Sequence, residues 1–129
     1  MLKLNNYFDI KWFILTVTFT AITILFTHIP QEFIPSQLQK SDFDKLQHIV
    51  AYGAITFLSI LSLKNSLSLF SALLLFFVIL VIGIFDEVTQ PLVNQQASLC
   101  DLLADITGIS IVLLISFVCQ RRCTKTHTQ

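Results

Sequence analysis

Asp44, His48 and Tyr52 stand at i, i+4 and i+8, and Asp101 and Asp105 repeat the four-residue interval further along the chain. Residues four apart share one face of a helix, so each set forms a polar stripe if its segment is helical. Gly83, Glu87 and Gln90 follow i, i+4, i+7. Asp86 stands four residues before Gln90, which predicts a pair on one face, and Gly108 continues the Asp101/Asp105 stripe. Carboxylates beside one imidazole support two kinds of chemistry. In the first, His48 is a general acid or base and Glu87 and Asp105 share protons with it. In the second, Glu87, Asp105 and Asp101 hold a divalent cation, and an oxygen-rich set suits Mg²⁺ or Mn²⁺ better than Zn²⁺. His48, Glu87 and Asp105 are therefore the candidate catalytic residues, and Asp44, Tyr52, Asp86, Gln90 and Asp101 the candidate ligand-binding residues around them. Plainer roles compete: Asp44 and Asp101 as helix caps, His48 as a structural hydrogen-bonding residue, Tyr52 as an interfacial anchor.

The elements that must position these residues belong in a bilayer. The chain has 129 residues, 54% of them hydrophobic and 12% charged, with a mean hydropathy of +0.76, too apolar for a soluble domain of this size. Formal net charge is zero and the pI is about 6.8, so no overall basic field exists to recruit nucleic acid. Four stretches approach or meet the roughly 17 to 25 residues that a helix needs to span hydrocarbon: Trp12 to Ile29, Leu46 to Leu63, Ser66 to Phe85 and Leu102 to Gln120. A cleaved signal peptide is the rival for the first. That segment is long for such a role, and no small-residue cleavage site follows it. A polar loop from Pro30 to Lys45 separates the first two spans. Only Lys64 and Asn65 separate the second and third, predicting a tight helical hairpin, and Asp86 to Asp101 join the third to the fourth. The expected fold is all-α, a single domain forming an antiparallel four-helix transmembrane bundle.

Lys and Arg counts orient it. With both termini inside, Lys3, Lys11, Lys64, Arg121, Arg122 and Lys125 are cytoplasmic, against Lys40 and Lys45 outside, six to two. The same assignment puts seven of the eight carboxylates outside, all but Asp9. Loop solvation explains Glu32 and Asp42. Asp105 differs, because too few residues lie between Ile106 and Arg121 to cross a bilayer, so the fourth helix must take Asp105 with it. The same reasoning brings His48, Asp44 and Lys45 into the second helix. A carboxylate at the centre of a span costs roughly 2.5 to 3.5 kcal/mol on insertion scales and generally faces the bundle interior or a wet cavity. Three helices are thus predicted to present polar stripes at one depth. Gly53, Ala54, Ser59, Gly83, Ala104, Gly108 and Ser110 are small enough to let them approach.

The runs Asp44-Lys45-x-x-His48-x-x-x-Tyr52, Asp86-Glu87-x-x-Gln90 and Ala97-Ser98-x-x-Asp101-x-x-Ala104-Asp105-x-x-Gly108 resemble the VanZ-like family of small bacterial membrane proteins. The resemblance covers about Asp44 to Gly108. It implies a multi-pass protein of the bacterial cytoplasmic (inner) membrane; some members are associated with low-level resistance to the glycopeptide teicoplanin, and the family's biochemical activity is not well defined. Through it Lys45 joins the candidate ligand-binding residues. Family members commonly carry an arginine before the Ala-Ser pair. Here Asn94-Gln95-Gln96 has no basic residue, and Gln95 is the best match; a glutamine cannot replace an arginine's charge or its bidentate fork.

Two function classes follow. One is an envelope enzyme acting on a lipid-linked or peptidoglycan-related substrate; the other is a non-catalytic protein that binds an envelope ligand or an ion. No nucleophile stands out, since Ser98 has no histidine beside it in sequence. Short length and the absence of a repeat argue against an autonomous carrier. Cys100, Cys119 and Cys123 read as free thiols with neither disulfide nor zinc spacing, and the Arg121, Arg122, Lys125 tail as a cytoplasmic stop. His28 is expected at the interface and His127 in a frayed terminus.

Overall fold

The computed structural model describes residues 8–33, 41–94 and 96–126. Four helices account for most of them: α1 (Ile10–Thr27), α2 (Ser41–Ser62), α3 (Leu69–Thr89) and α4 (Leu99–Thr126). Short 3₁₀ turns, Gln31–Phe33 and Gln90–Val93, follow α1 and α3, and no strand occurs among the described residues. The spans Ile10–Thr27, Leu69–Val93 and Leu99–Arg121 are long and apolar enough to cross a membrane. α2 is less apolar because Asp44, Lys45, Gln47 and His48 crowd its first turns.

Helix starts follow from capping chemistry. The Asp9 carboxylate accepts the Lys11 N–H at 3.0 Å and opens α1. Ser68 and Ser71 form a capping box, each side chain accepting the other's backbone N–H, at 3.1 and 2.8 Å. That box delays α3 to Leu69, so the connection from α2 runs over residues 63–68 and not over Lys64 and Asn65 alone. Leu67 within it is buried, and its N–H donates to Gln120 Oε1 at 2.9 Å, tying the start of α3 to α4. α4 begins at Leu99, early enough to carry both Asp101 and Asp105. α2 begins at Ser41, so Asp44, His48 and Tyr52 share one helix.

The interior is unusual in composition. Its apolar centre is small, Tyr52, Ile55, Ile79 and Ile109, whereas Thr23, His48, Thr56, Ser59, Ser62, Asp86, Glu87, Gln90, Asp101 and Asp105 are all buried. Large apolar side chains such as Leu25, Phe26, Phe70 and Leu114 point outward. An apolar exterior around a polar core suits lipid as the surrounding solvent. Three buried aliphatic hydroxyls are satisfied within their own helix: Thr56 donates to Tyr52 O, Ser59 to Ile55 O and Ser62 to Ser59 O, at 2.6 to 2.7 Å.

α2 packs most extensively against α4 and next against α1, and only lightly against α3, so its principal partner is not the sequence neighbour that the hairpin expectation chose. The reason is Gly108. A Cβ there would collide with the Ile49 carbonyl oxygen and lie 3.1 Å from the Gly53 nitrogen, so the two backbones meet where only glycine fits. The Asp9 N–H donates to Ser62 O at 2.8 Å and joins the start of α1 to the end of α2. Gly108→Ala should destabilise the protein by about 1–3 kcal/mol through forced separation of α2 and α4. Gly53→Ala, whose Cβ would find only ordinary contact with Val112 at 3.5 Å, should be milder. Unfolding in detergent checks the order, and equal losses would contradict it.

Candidate functional site

α2, α3 and α4 each deliver part of one buried polar cluster. From α2 come His48 and Tyr52, one turn apart, with rings nearly parallel at 6° and centroids 6.3 Å apart. From α4 come Asp101 and Asp105, from α3 Asp86 and Glu87, and from the turn after α3 Gln90, all buried. The helical stripes read from the sequence therefore converge. Asp105 is 0% exposed, and its Oδ1 lies 2.8 Å from His48 Nδ1. Its Oδ2 is buried and has no hydrogen-bond partner among the described residues. Gly83 makes room for it: a Cβ there would lie 3.0 Å from Asp105 Oδ2 and 3.3 Å from Tyr52 Cε1.

The turn after α3 completes the cluster. Pro91 sits in the Gln90–Val93 turn, which ends at Asn94 in a left-handed conformation (φ 60°), one that asparagine tolerates better than most residues. Beyond it the chain returns so that the Ser98 backbone N–H donates to Glu87 Oε2 at 2.8 Å. Gln90 Nε2 reaches Glu87 Oε1 only at 3.5 Å. The expected Asp86–Gln90 side-chain pair does not form; the Gln90 backbone N–H caps onto Asp86 O instead, and the Asp86 carboxylate faces α1 and α2.

Asp86 is the centre of a second arm that the sequence did not reveal. Its Oδ1 accepts from Thr27 Oγ1 at 2.6 Å and lies 3.4 Å from His28 Nδ1, and its Oδ2 accepts from the Tyr52 hydroxyl at 3.3 Å. His28 Nδ1 also contacts Ile24 O at 2.8 Å, and Nε2 contacts Thr89 Oγ1 at 2.9 Å. Tyr52 is thus fully buried and hydrogen-bonded, not an interfacial anchor. His28 is a half-buried partner of α3, not merely an interfacial residue. Thr27, His28 and Thr89 had no legible signal, because no spacing rule links the end of α1 to the end of α3.

At the head of α2, ahead of the apolar stretch that begins at Leu46, burial and the Asp101 carboxylate push the Asp44 carboxyl above its usual range, against the pull of His48 and Lys45. The Lys45 side chain makes no hydrogen bond among the described residues, and Gln95 lies outside them. Two overlapping groups bring their ligand atoms within 4.8 Å of one another, His48 with Glu87 and Asp105, and His48 with Asp44 and Asp101, so either could hold a metal ion. Chemically, the His48–Asp105 pair can orient an imidazole and pass a proton, and the carboxylates can neutralise a cation. Among the described residues no serine, threonine or cysteine side chain is hydrogen-bonded to His48, so no activated nucleophile is formed.

Comparison with protein-family models, with curated proteins and with solved structures finds no match to this chain.

Removing the two donors to Asp86 should have unequal effects. Thr27→Val, which deletes the 2.6 Å bond, should destabilise by about 1–3 kcal/mol. Tyr52→Phe, which deletes the longer 3.3 Å bond, should cost about 1 kcal/mol or less. Denaturant unfolding in detergent micelles measures both, and the reverse order would show that Asp86 relies on α2 more than on α1.

Proposed function

We propose that the chain is a VanZ-like integral membrane protein of the bacterial cell envelope, an antiparallel four-helix bundle with both termini in the cytoplasm. In this reading its polar site opens toward the extracytoplasmic side of the inner membrane. There His48, oriented by Asp105 and flanked by Glu87, exchanges a proton with a polar envelope ligand, lipid-linked or peptidoglycan-related, as in glycopeptide (teicoplanin) resistance or envelope-substrate processing. Asp44, Lys45 and Asp101 stand at the mouth, and Mg²⁺ or Mn²⁺ is the cofactor this donor set would accept.

One observation carries the proposal: Asp105 is fully buried, with one oxygen on His48 and the other without a partner among the described residues, in a protein whose exterior is apolar. A merely structural carboxylate in such surroundings is expected to have both oxygens satisfied. Bundle and orientation draw support from the Asp9–Ser62 and Leu67–Gln120 bonds at one end, the polar cluster at the other, and the six-to-two distribution of basic residues. A non-catalytic role, binding an envelope ligand or an ion, is favoured by one feature: among the described residues no serine, threonine or cysteine side chain is hydrogen-bonded to His48.

In a host carrying the protein, His48→Ala and Asp105→Asn are expected to abolish glycopeptide tolerance while folded protein stays at wild-type abundance. Tolerance that falls only in proportion to the abundance of folded protein would instead mark both residues as structural. Topology has its own readout. After removal of the native cysteines, a cysteine placed at Asn94 or Gln96 should react with an impermeant thiol reagent in intact cells, and one at Lys64 only after permeabilisation. The opposite pattern would reverse the orientation.

A further inference from the structure

We propose that His48, Glu87 and Asp105 together bind one divalent transition-metal ion of the Mn²⁺ type, and that this ion is the joint holding α3 to the α2–α4 pair. The inference rests on the reading of this cluster as the functional site and narrows the cofactor to an ion that accepts nitrogen as well as oxygen. Three independent features lead there. First, the ligand atoms of the three residues lie within 4.8 Å of one another. Two ligands on opposite sides of an ion at about 2.0–2.2 Å are about 4.4 Å apart, so the spacing of the three is on the scale of one coordination sphere, which the ion would draw closer on binding. Second, Asp105 Oδ2 is buried and without a hydrogen-bond partner among the described residues, seated where Gly83 has no side chain, and a cation is the partner that such a carboxylate oxygen lacks. Third, Glu87 is already oriented by the Ser98 backbone N–H at 2.8 Å, the kind of outer support that fixes a ligating carboxylate.

The donor set then selects the ion. One imidazole with two carboxylates is a mixed nitrogen and oxygen site, which favours Mn²⁺ over Mg²⁺, an ion that prefers all-oxygen surroundings and keeps its waters. Ligation through His48 Nδ1, the nitrogen that faces Asp105 Oδ1 at 2.8 Å, displaces the proton held between them, since an imidazole nitrogen that binds a metal carries no proton. Because the three ligands come from three helices, and α2 and α3 otherwise meet only lightly, the ion supplies the contact that the packing does not.

The test uses the purified full-length protein in detergent, stripped with a chelator and titrated with MnCl₂. One Mn²⁺ per chain is expected, with proton release in weak buffer, a raised melting temperature and a nitrogen coupling in the electron spin echo spectrum. His48→Ala should abolish that coupling. Asp105→Asn and Glu87→Gln should weaken binding by at least about 100-fold, beyond the roughly 10- to 100-fold typical of losing an outer-shell partner, whereas Asp44→Asn should retain the ion. Mg²⁺ should bind at least about tenfold more weakly than Mn²⁺. No Mn²⁺ binding by folded wild-type protein, or no nitrogen coupling in bound Mn²⁺, would overturn the proposal, and this wild-type arm stands even if a variant fails to fold. Loss of the ion in Asp44→Asn with retention in Glu87→Gln would overturn it too, moving the ion to the outer group. The two proposals fail separately. Bound Mn²⁺ with unaltered tolerance in His48→Ala cells defeats only the function, and abolished tolerance without an ion defeats only the metal.

Discussion

A carboxylate held away from water must be given partners or it will not stay ionised, and Asp105 imposes that requirement on every helix around it. It lies fully buried on α4, so α2 supplies His48 at 2.8 Å and α3 withdraws its side chain at Gly83. α2 and α4 can come close enough for that pair only because Gly108 lets the Ile49 carbonyl approach the α4 backbone. Two of the chain's three glycines thus serve the same carboxylate, one by admitting a backbone and the other by admitting the carboxylate itself.

The acids divide into two arms that meet at Tyr52. One arm, His48 with Asp105 and Glu87, joins α2, α4 and α3. The other, Asp86 with Thr27 and His28, joins α3 to α1. Tyr52 donates its hydroxyl to Asp86 and lays its ring parallel to His48, so it belongs to both. α1 is therefore more than an apolar anchor: its last turn fixes the carboxylate beside the candidate site. Thr56, Ser59 and Ser62 turn their hydroxyls back onto their own helix, whereas in the cluster side chains pair between helices.

This arrangement limits the chemistry. Imidazole and carboxylates with no nucleophile hydrogen-bonded to the imidazole among the described residues suit proton exchange or cation binding, and both draw strength from a low-dielectric surrounding, where charge interactions are less screened than in water. The apolar exterior supplies that surrounding. It also makes the polar cluster costly to assemble, which is why its support comes from glycine contacts and short hydrogen bonds and not from a large apolar core.

Helical period and span length were enough to predict that Asp44, His48 and Tyr52, then Gly83 and Glu87, then Asp101 and Asp105 share helix faces, and that Asp105 and His48 lie inside their helices; Gln90, expected on the same stripe, lies in the 3₁₀ turn that follows α3. Those properties are local: backbone hydrogen bonding sets the period, and the count of residues before a charge sets the length. Which faces meet was not legible. The α2–α4 pairing depends on a backbone approach that only Gly108 allows. The 2.6 Å Thr27–Asp86 bond joins residues 59 apart, Gln90 reaches for Glu87 and not for Asp86, and Ser98 contributes a backbone N–H that carries no sequence signature. Capping by Ser68, not hydropathy, moved the start of α3. Partner choice between helices follows from sub-ångström fit and rotamers settled by all four at once, so the chain alone determined which side chains could do chemistry, and the tertiary structure decided which of them touch.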